Sequence, residues 1–190
     1  MTTLPLYPKP LGSALRRWRT LNRVKQAALA ETLGVSQTTV CRWESGAVMP
    51  SPQQVRHLSK LLTARPEAAA DKALLDLVAM AHEPVHLVCD LTHRLLAASP
   101  ARMATWRIPL ADLLGVSLWR FASEGIRAGE TRLEEAGWYK PVAPALTIMT
   151  ERAEFPELTI RAGEIRLARI PLSDGSYARL VRDGARIGPE

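Results

Sequence analysis

A chain of 190 residues with 47% hydrophobic content is long enough for one medium domain or two small ones and has the balance of a folded protein. No apolar run approaches the ~20 residues of a membrane span, and the opening MTTLPLYPKPLG lacks the apolar core of a secretion signal, so a cytoplasmic chain is expected. The net charge of +6 is unevenly placed: residues 1–66 hold ten Lys/Arg against two Asp/Glu (+8), and residues 67–190 hold fifteen against seventeen (−2). A basic excess confined to one third of the chain is the electrostatic footprint of phosphate binding.

In chain order, Pro5, Pro8 and Pro10 mark residues 1–10 as an irregular arm. A first helix is expected from Gly12 to Leu21. Residues 25–46, KQAALAETLGVSQTTVCRWESG, then read as a helix, a tight turn and a second helix. Ala27, Leu29, Ala30 and Leu33 recur at helical spacing as one apolar face. Gly34 supplies the left-handed conformation that ends this helix, and Ser36 caps the next. In that second helix Val40 and Trp43 face inward, which leaves Gln37, Thr38, Thr39 and Arg42 outside. Amide, hydroxyl and guanidinium groups are what a helix needs to read base edges in the major groove. Ser51-Pro52-Gln53-Gln54 starts a fourth helix with a cap, a first-turn proline and a capping-box Gln, and Pro66 closes the domain 11–66.

This stretch resembles the helix-turn-helix domain of the Cro/cI-repressor (XRE) family. The resemblance runs from Leu15, Arg16 and Arg19 upstream to Pro50, Val55, Leu58, Leu61 and Leu62 downstream, about residues 11–64. It implies a five-helix, all-α, lambda-repressor-like DNA-binding domain, prokaryotic and nucleoid-associated, acting as a homodimer on double-stranded DNA. It also implies roles. Gln37, Thr38 and Arg42 reach base edges, and Thr39 meets a thymine methyl or a phosphate. Arg23, Lys25, Gln26 and Ser36 meet phosphates, and Arg19 and Glu44 form an internal ion pair. Arg42 is the candidate for guanine, since its planar fork matches O6 and N7 together; a phosphate clamp is the alternative. Lys25 departs from the family pattern. Ser or Thr is common there, so the helix opening at Gln26 loses a side-chain cap worth ~1 kcal/mol, and a cation opposes the helix dipole. Trp18 and Trp43 are expected in the core. Cys41 and Cys89 match no metal spacing, and no disulfide is expected between them.

Residues 67–83 read as a linker helix with Ala70, Leu74, Leu77/Val78 and Ala81 on one stripe, suited to pairing with a second copy; Pro84 ends it. The character then changes. Val85–Asp90 and Arg94–Ala98 are short apolar runs around Leu91-Thr92-His93, a strand-turn-strand pattern. Short helices are expected at Pro100–Trp106, Leu110–Leu114 and Leu118–Ala122, and another at Ala128–Ala136 ended by Gly137. Strands follow at Leu146–Thr150, Leu158–Arg161, Glu164–Ile170 and Ser176–Val181, with turns at Ala162-Gly163 and Asp174-Gly175. The order of elements, with VHLVCDLTHRLLAASPA and ADLLGVSLWRF, resembles a PAS domain over residues 84–182, which leaves 183–190 as a tail; Ser99 stands where Asn is common. The fold class is therefore α+β: an all-α DNA-binding domain, a linker helix, and a C-terminal α/β PAS-like domain with an antiparallel sheet. The resemblance implies dimerisation and sensing of a small molecule or a protein partner. The Asn-Cys-Arg context of a photoreactive flavin site is missing, and His57, His82, His86 and His93 all precede the helices that commonly supply a haem ligand, so no cofactor is expected. Trp106, Trp119, Trp138 and Tyr139 are expected as core, with a pocket lining as the alternative.

Enzyme readings are weaker. His82–His86, HEPVH, matches the H-E-x-x-H zinc-peptidase spacing, and such peptidases occur fused to XRE domains. That chemistry needs a helix, and Pro84 sits inside the motif with strand-like residues after it. A self-cleaving repressor needs a Ser–Lys pair, but past Lys72 the only lysine is Lys140 and the usual Gly-x-Ser-Met context is missing. An antitoxin that binds a toxin through its C-terminal part is the further alternative. The expectation is a non-enzymatic, sequence-specific transcription regulator.

Overall fold

The computed structural model describes residues 8–186, which divide into two compact units meeting between Thr63 and Ala64. The first unit holds four helices: α1 (Pro8–Leu21), α2 (Gln26–Leu33), α3 (Gln37–Ser45) and α4 (Pro52–Leu62). Helix α1 begins at Pro8, inside the expected irregular arm. Proline is tolerated in a first helical turn, where the missing N–H has no partner to lose. Residues 1–7 of that arm lie outside the described residues.

The local signals act as their chemistry dictates. Gly34 takes φ 65° and closes α2, its N–H bonding back to Ala30 and Glu31. Ser51 and Gln54 form both halves of the capping box at the start of α4. Leu11, Leu15, Leu29, Val40, Trp43 and Leu58 fill the interior, each 3% exposed or less. Ala27 is exposed, so the inward face of α2 is narrower than its spacing suggests.

The second unit opens with α5 (Ala69–Ala79), β1 (Val85–Cys89) and β2 (Leu95–Ala98). Short helices α6 (Pro100–Met103) and α7 (Leu110–Leu113), a 3₁₀ turn (Leu118–Phe121) and α8 (Glu124–Arg132) follow. The strands β3 (Leu146–Thr150), β4 (Ala153–Glu154), β5 (Thr159–Ile160), β6 (Gly163–Pro171) and β7 (Tyr177–Arg186) come next. Five strands form one antiparallel sheet in the order β2-β1-β7-β6-β3, and β4 pairs only with β5 as a separate ribbon. The register includes Leu87 opposite Leu180 and Leu167 opposite Val181. The fold class is thus α+β, with a helical N-terminal part and an antiparallel C-terminal sheet.

The sheet buries a different set of side chains on each face, as period-two alternation requires. Val88, Leu167 and Val181 pack with Leu113, Phe121 and Trp138 under the helical excursion. Val85, Leu87 and Cys89 pack with Ala97, Ala178 and Val78 of α5 on the other side.

Four expectations change. The fifth helix is not a free linker: α5 packs on β1 and β2, and its buried Asp71 accepts bonds from the Ser173 backbone N–H (3.1 Å) and hydroxyl (3.0 Å) in the β6–β7 turn. The four-helix first unit therefore stops at Thr63, before Pro66. Helix α8 starts at Glu124, four residues earlier than its apolar spacing indicates, because Ser123 accepts from the Ile126 N–H and caps it there. Finally, β7 runs to Arg186 rather than stopping at Val181, since β6 offers partners up to Gly163.

Candidate nucleic-acid interface and an apolar cavity

Helix α3 presents the groups that sequence reasoning selects. Gln37, Thr38 and Arg42 are exposed, and Thr39 is half-buried. Ser36 is the cap: its Oγ accepts from the Thr39 backbone N–H at 3.1 Å and shares a second bond with the Thr39 hydroxyl at 2.8 Å. Both hydroxyls are therefore engaged in holding the helix start. Cys41 is a free, exposed thiol on the same helix.

The helix is anchored from behind. Arg19 on α1 meets Glu44 in a two-pronged pair, Nε to Oε1 at 2.7 Å and Nη2 to Oε2 at 3.0 Å, while its Nη1 donates to the Val24 carbonyl at 3.1 Å. Gln26 Nε2 also donates to Glu44 Oε2, at 2.9 Å. One N–H of the Gln26 amide is thus used at Glu44, and the second donor of that nitrogen is the one left for the phosphate contact the family resemblance implies. Burial opposes the Glu44 charge, but the bonds from Arg19 and Gln26 outweigh it and hold that carboxyl below its usual range. Arg23 takes φ 55° in the α1–α2 turn and is exposed beside exposed Lys25. Lys25 stands at the α2 N-cap with no side-chain cap bond, as its side-chain chemistry requires.

One contributor escapes sequence reasoning. Gly12 on α1 lies so close to the end of α3 that a Cβ there would fall inside van der Waals distance of the Trp43 carbonyl oxygen and 3.2 Å from that of Glu44. Its only signal in the sequence is a glycine within a helical stretch.

The second unit carries a buried charge cluster. Asp90, at the end of β1, accepts from Arg179 Nε and Trp138 Nε1 through Oδ1, and from Arg169 Nε through Oδ2, all at 2.9 Å. Glu130 on α8 accepts from Arg179 Nη1 at 2.7 Å and faces His93 Nε2 at 3.4 Å. Burial would neutralise Glu130, but Arg179 and His93 hold its carboxyl well below the usual range. Trp138 is therefore core, fully buried and bonded to Asp90.

Beside this cluster, between the sheet and the helical excursion, lies a cavity of about 150 Å³. Its walls are apolar, with Val88, Trp119, Phe121, Ile148, Ile165 and Leu167 among them. Trp106 and Trp119 line it, whereas Trp138 and Tyr139 do not. One side is lined by Leu158 and by Thr159 and Ile160 of β5, in the β4–β5 ribbon. Arg107 holds that ribbon through Nε to the Pro156 carbonyl (3.0 Å) and Nη1 to Thr159 Oγ1 (2.9 Å), with a further bond to the Phe155 carbonyl.

The HEPVH stretch has the wrong geometry for a zinc helix. Helix α5 ends at Ala79 and β1 begins at Val85, so His82 and His86 flank a loop that enters a strand. Among the described residues, no group of three or more His, Cys, Asp or Glu is placed to hold a metal ion. No described helix is long and apolar enough to cross a membrane.

With this geometry in place, residues 10–73 match the family described as helix-turn-helix domain. The N-terminal unit is a helix-turn-helix domain. The match reaches into α5, past the break between the units at Thr63. No curated protein matches the chain. Among solved structures, one titled "Structure of an RNA-binding Light-Oxygen-Voltage Receptor" is similar at 15% identity and a TM-score of 0.41, over 92% of this chain and 60% of that one. The chain thus spans about 60% of the length of that structure.

Proposed function

We propose that this protein is a sequence-specific, DNA-binding transcription regulator that acts as a homodimer and is non-enzymatic. Its helix-turn-helix domain reads the major groove with α3, and its C-terminal unit is a PAS-like domain that senses a small molecule. The observation that carries the reading is α3 itself. Exposed Gln37, Thr38 and Arg42 lie on a helix capped by Ser36 and pinned by Arg19 and Gln26 at Glu44. A helix presented in this way has the donors and acceptors that distinguish base pairs in the major groove. Arg23 and Lys25, exposed at the start of α2, are the phosphate contacts. The PAS-like part of the reading is supported by the strand order β2-β1-β7-β6-β3 with helices inserted between β2 and β3.

The test is selection of binding sites from random duplex DNA. Enrichment of an inverted repeat is the expected result, since two copies related by a two-fold axis read two half-sites. Salt-sensitive binding with no enriched motif would remove the sequence-specific reading.

A further inference from the structure

The cavity in the second unit is apolar in its walls but has unsatisfied polar atoms at its edge. Arg102 Nε, His86 Nδ1 and His93 Nδ1 are buried and have no hydrogen-bond partner, and all three residues line the cavity. Buried polar atoms without partners are costly, and their recurrence around one space points to something that fills it. Arg102 is held through Nη2, which bonds Asp183 Oδ1 at 2.5 Å and the Pro84 carbonyl at 2.9 Å, and its Nε is left as a donor. His93 has Nε2 turned to Glu130, which leaves Nδ1. Burial and the neighbouring Arg102 charge push His86 well below its usual range, so its ring is neutral at pH 7 and carries one donor and one acceptor nitrogen.

Charge then narrows the class of ligand. Of the lining cations Arg102, Arg161 and Arg179, Arg161 is exposed to solvent. Arg102 is already paired with Asp183, and Arg179 with Glu130. A charged ligand seated against Arg102 and His86 would meet no unmatched counter-charge there and would enter at a large desolvation cost. Size narrows it further, because an apolar cavity of about 150 Å³ holds one benzene-sized ring.

We propose that this cavity binds an uncharged, single-ring aromatic molecule bearing one hydroxyl or carbonyl oxygen, which accepts from Arg102 Nε and bonds His86 Nδ1. The inference rests on the sensing reading above and adds the ligand class.

The experiment titrates the full-length protein at pH 7 by calorimetry with phenol, toluene and benzoate. Phenol and toluene share a shape and differ by the oxygen, and benzoate adds the charge. Phenol should bind roughly three- to tenfold more tightly than toluene, the range of one net hydrogen bond, and benzoate should not bind measurably. His86→Phe should bring phenol down towards toluene, and Ile165→Phe should fill the cavity and abolish both. If either variant fails to fold, the wild-type series decides. Benzoate binding as well as phenol would overturn the uncharged class, and equal phenol and toluene affinities would overturn the polar contact. No binding by any of the three would overturn the proposal. An enriched operator without phenol binding sinks only the ligand class. Phenol binding that leaves operator affinity unchanged sinks the sensing reading.

Discussion

Arg42 and Glu44 are two residues apart on α3 and do different work. Arg42 is exposed, and as a bidentate partner of guanine it would contribute base discrimination. Arg42→Ala should therefore cost ~1–3 kcal/mol at preferred sites and blur one position of the selected motif. If it weakened all sequences alike, as Lys25→Ala should, Arg42 would be a phosphate clamp. Glu44 faces inward, with only 4% of its side chain exposed. Glu44→Ala strands Arg19 and should cost about 3 kcal/mol, the low end for a broken buried pair, because Arg19 keeps some access to water. Denaturant midpoints would register that loss, while the selected motif should stay the same.

His86 gives a pH signature at the same scale. Its folded-state pKa lies well below its ordinary value, so the unfolded chain binds the proton more readily. The stability this contributes is full above the unfolded pKa of about 6.5 and is lost as pH falls below it. Urea midpoints should decline from pH 7 towards pH 5, and His86→Phe should flatten that decline. Glu130, depressed rather than burdened by its neighbours, adds a separate loss that sets in only below about pH 4.3. A midpoint unchanged between pH 7 and 5 would remove His86 as a half-buried group held neutral.

Among elements, the α1–α3 contact decides how the reading helix is held. Gly12 permits an approach that any side chain would block. Gly12→Ala forces the helices apart and should cost ~1–3 kcal/mol by overpacking, despite the better helix propensity of alanine. Thermal unfolding checks the sign: stabilisation would mean the approach is not tight. Helix α5 shows the opposite case. Its spacing reads as one apolar stripe, but Leu77 is 70% and Met80 76% exposed while Val78 is buried. The sheet takes the Leu74–Leu75–Val78 side, and the remaining apolar side faces solvent.

For the molecule as a whole, the proposed two-fold operator needs two copies, and the apolar stripe of residues 67–83 is where the sequence leads one to expect the pairing. Leu77→Glu with Met80→Glu should shift the sedimentation of the full chain from dimer to monomer and weaken operator binding steeply, with the fold intact by circular dichroism. An unchanged sedimentation coefficient would move the interface elsewhere. The charge division belongs to this scale too. The +8 of residues 1–66 places the phosphate-binding potential on the helix-turn-helix end of the chain.

The helix-turn-helix was legible in the sequence because its signals are local. Gly34 at φ 65°, the Ser36 cap and the Ser51–Gln54 box act within a turn of chain, and no distant partner is needed to read them. The division of charge and the run of short strands were legible for the same reason. Tertiary structure alone decided what depends on contacts across long separations. It assigned α5 to the sheet, gathered Asp90, Glu130, Arg169 and Arg179 into one buried cluster, and drew the Gln26 amide to Glu44. It also set Arg102 and His86 around an apolar space. Spacing along a chain encodes which face a residue occupies, but only packing determines which face of another element it meets.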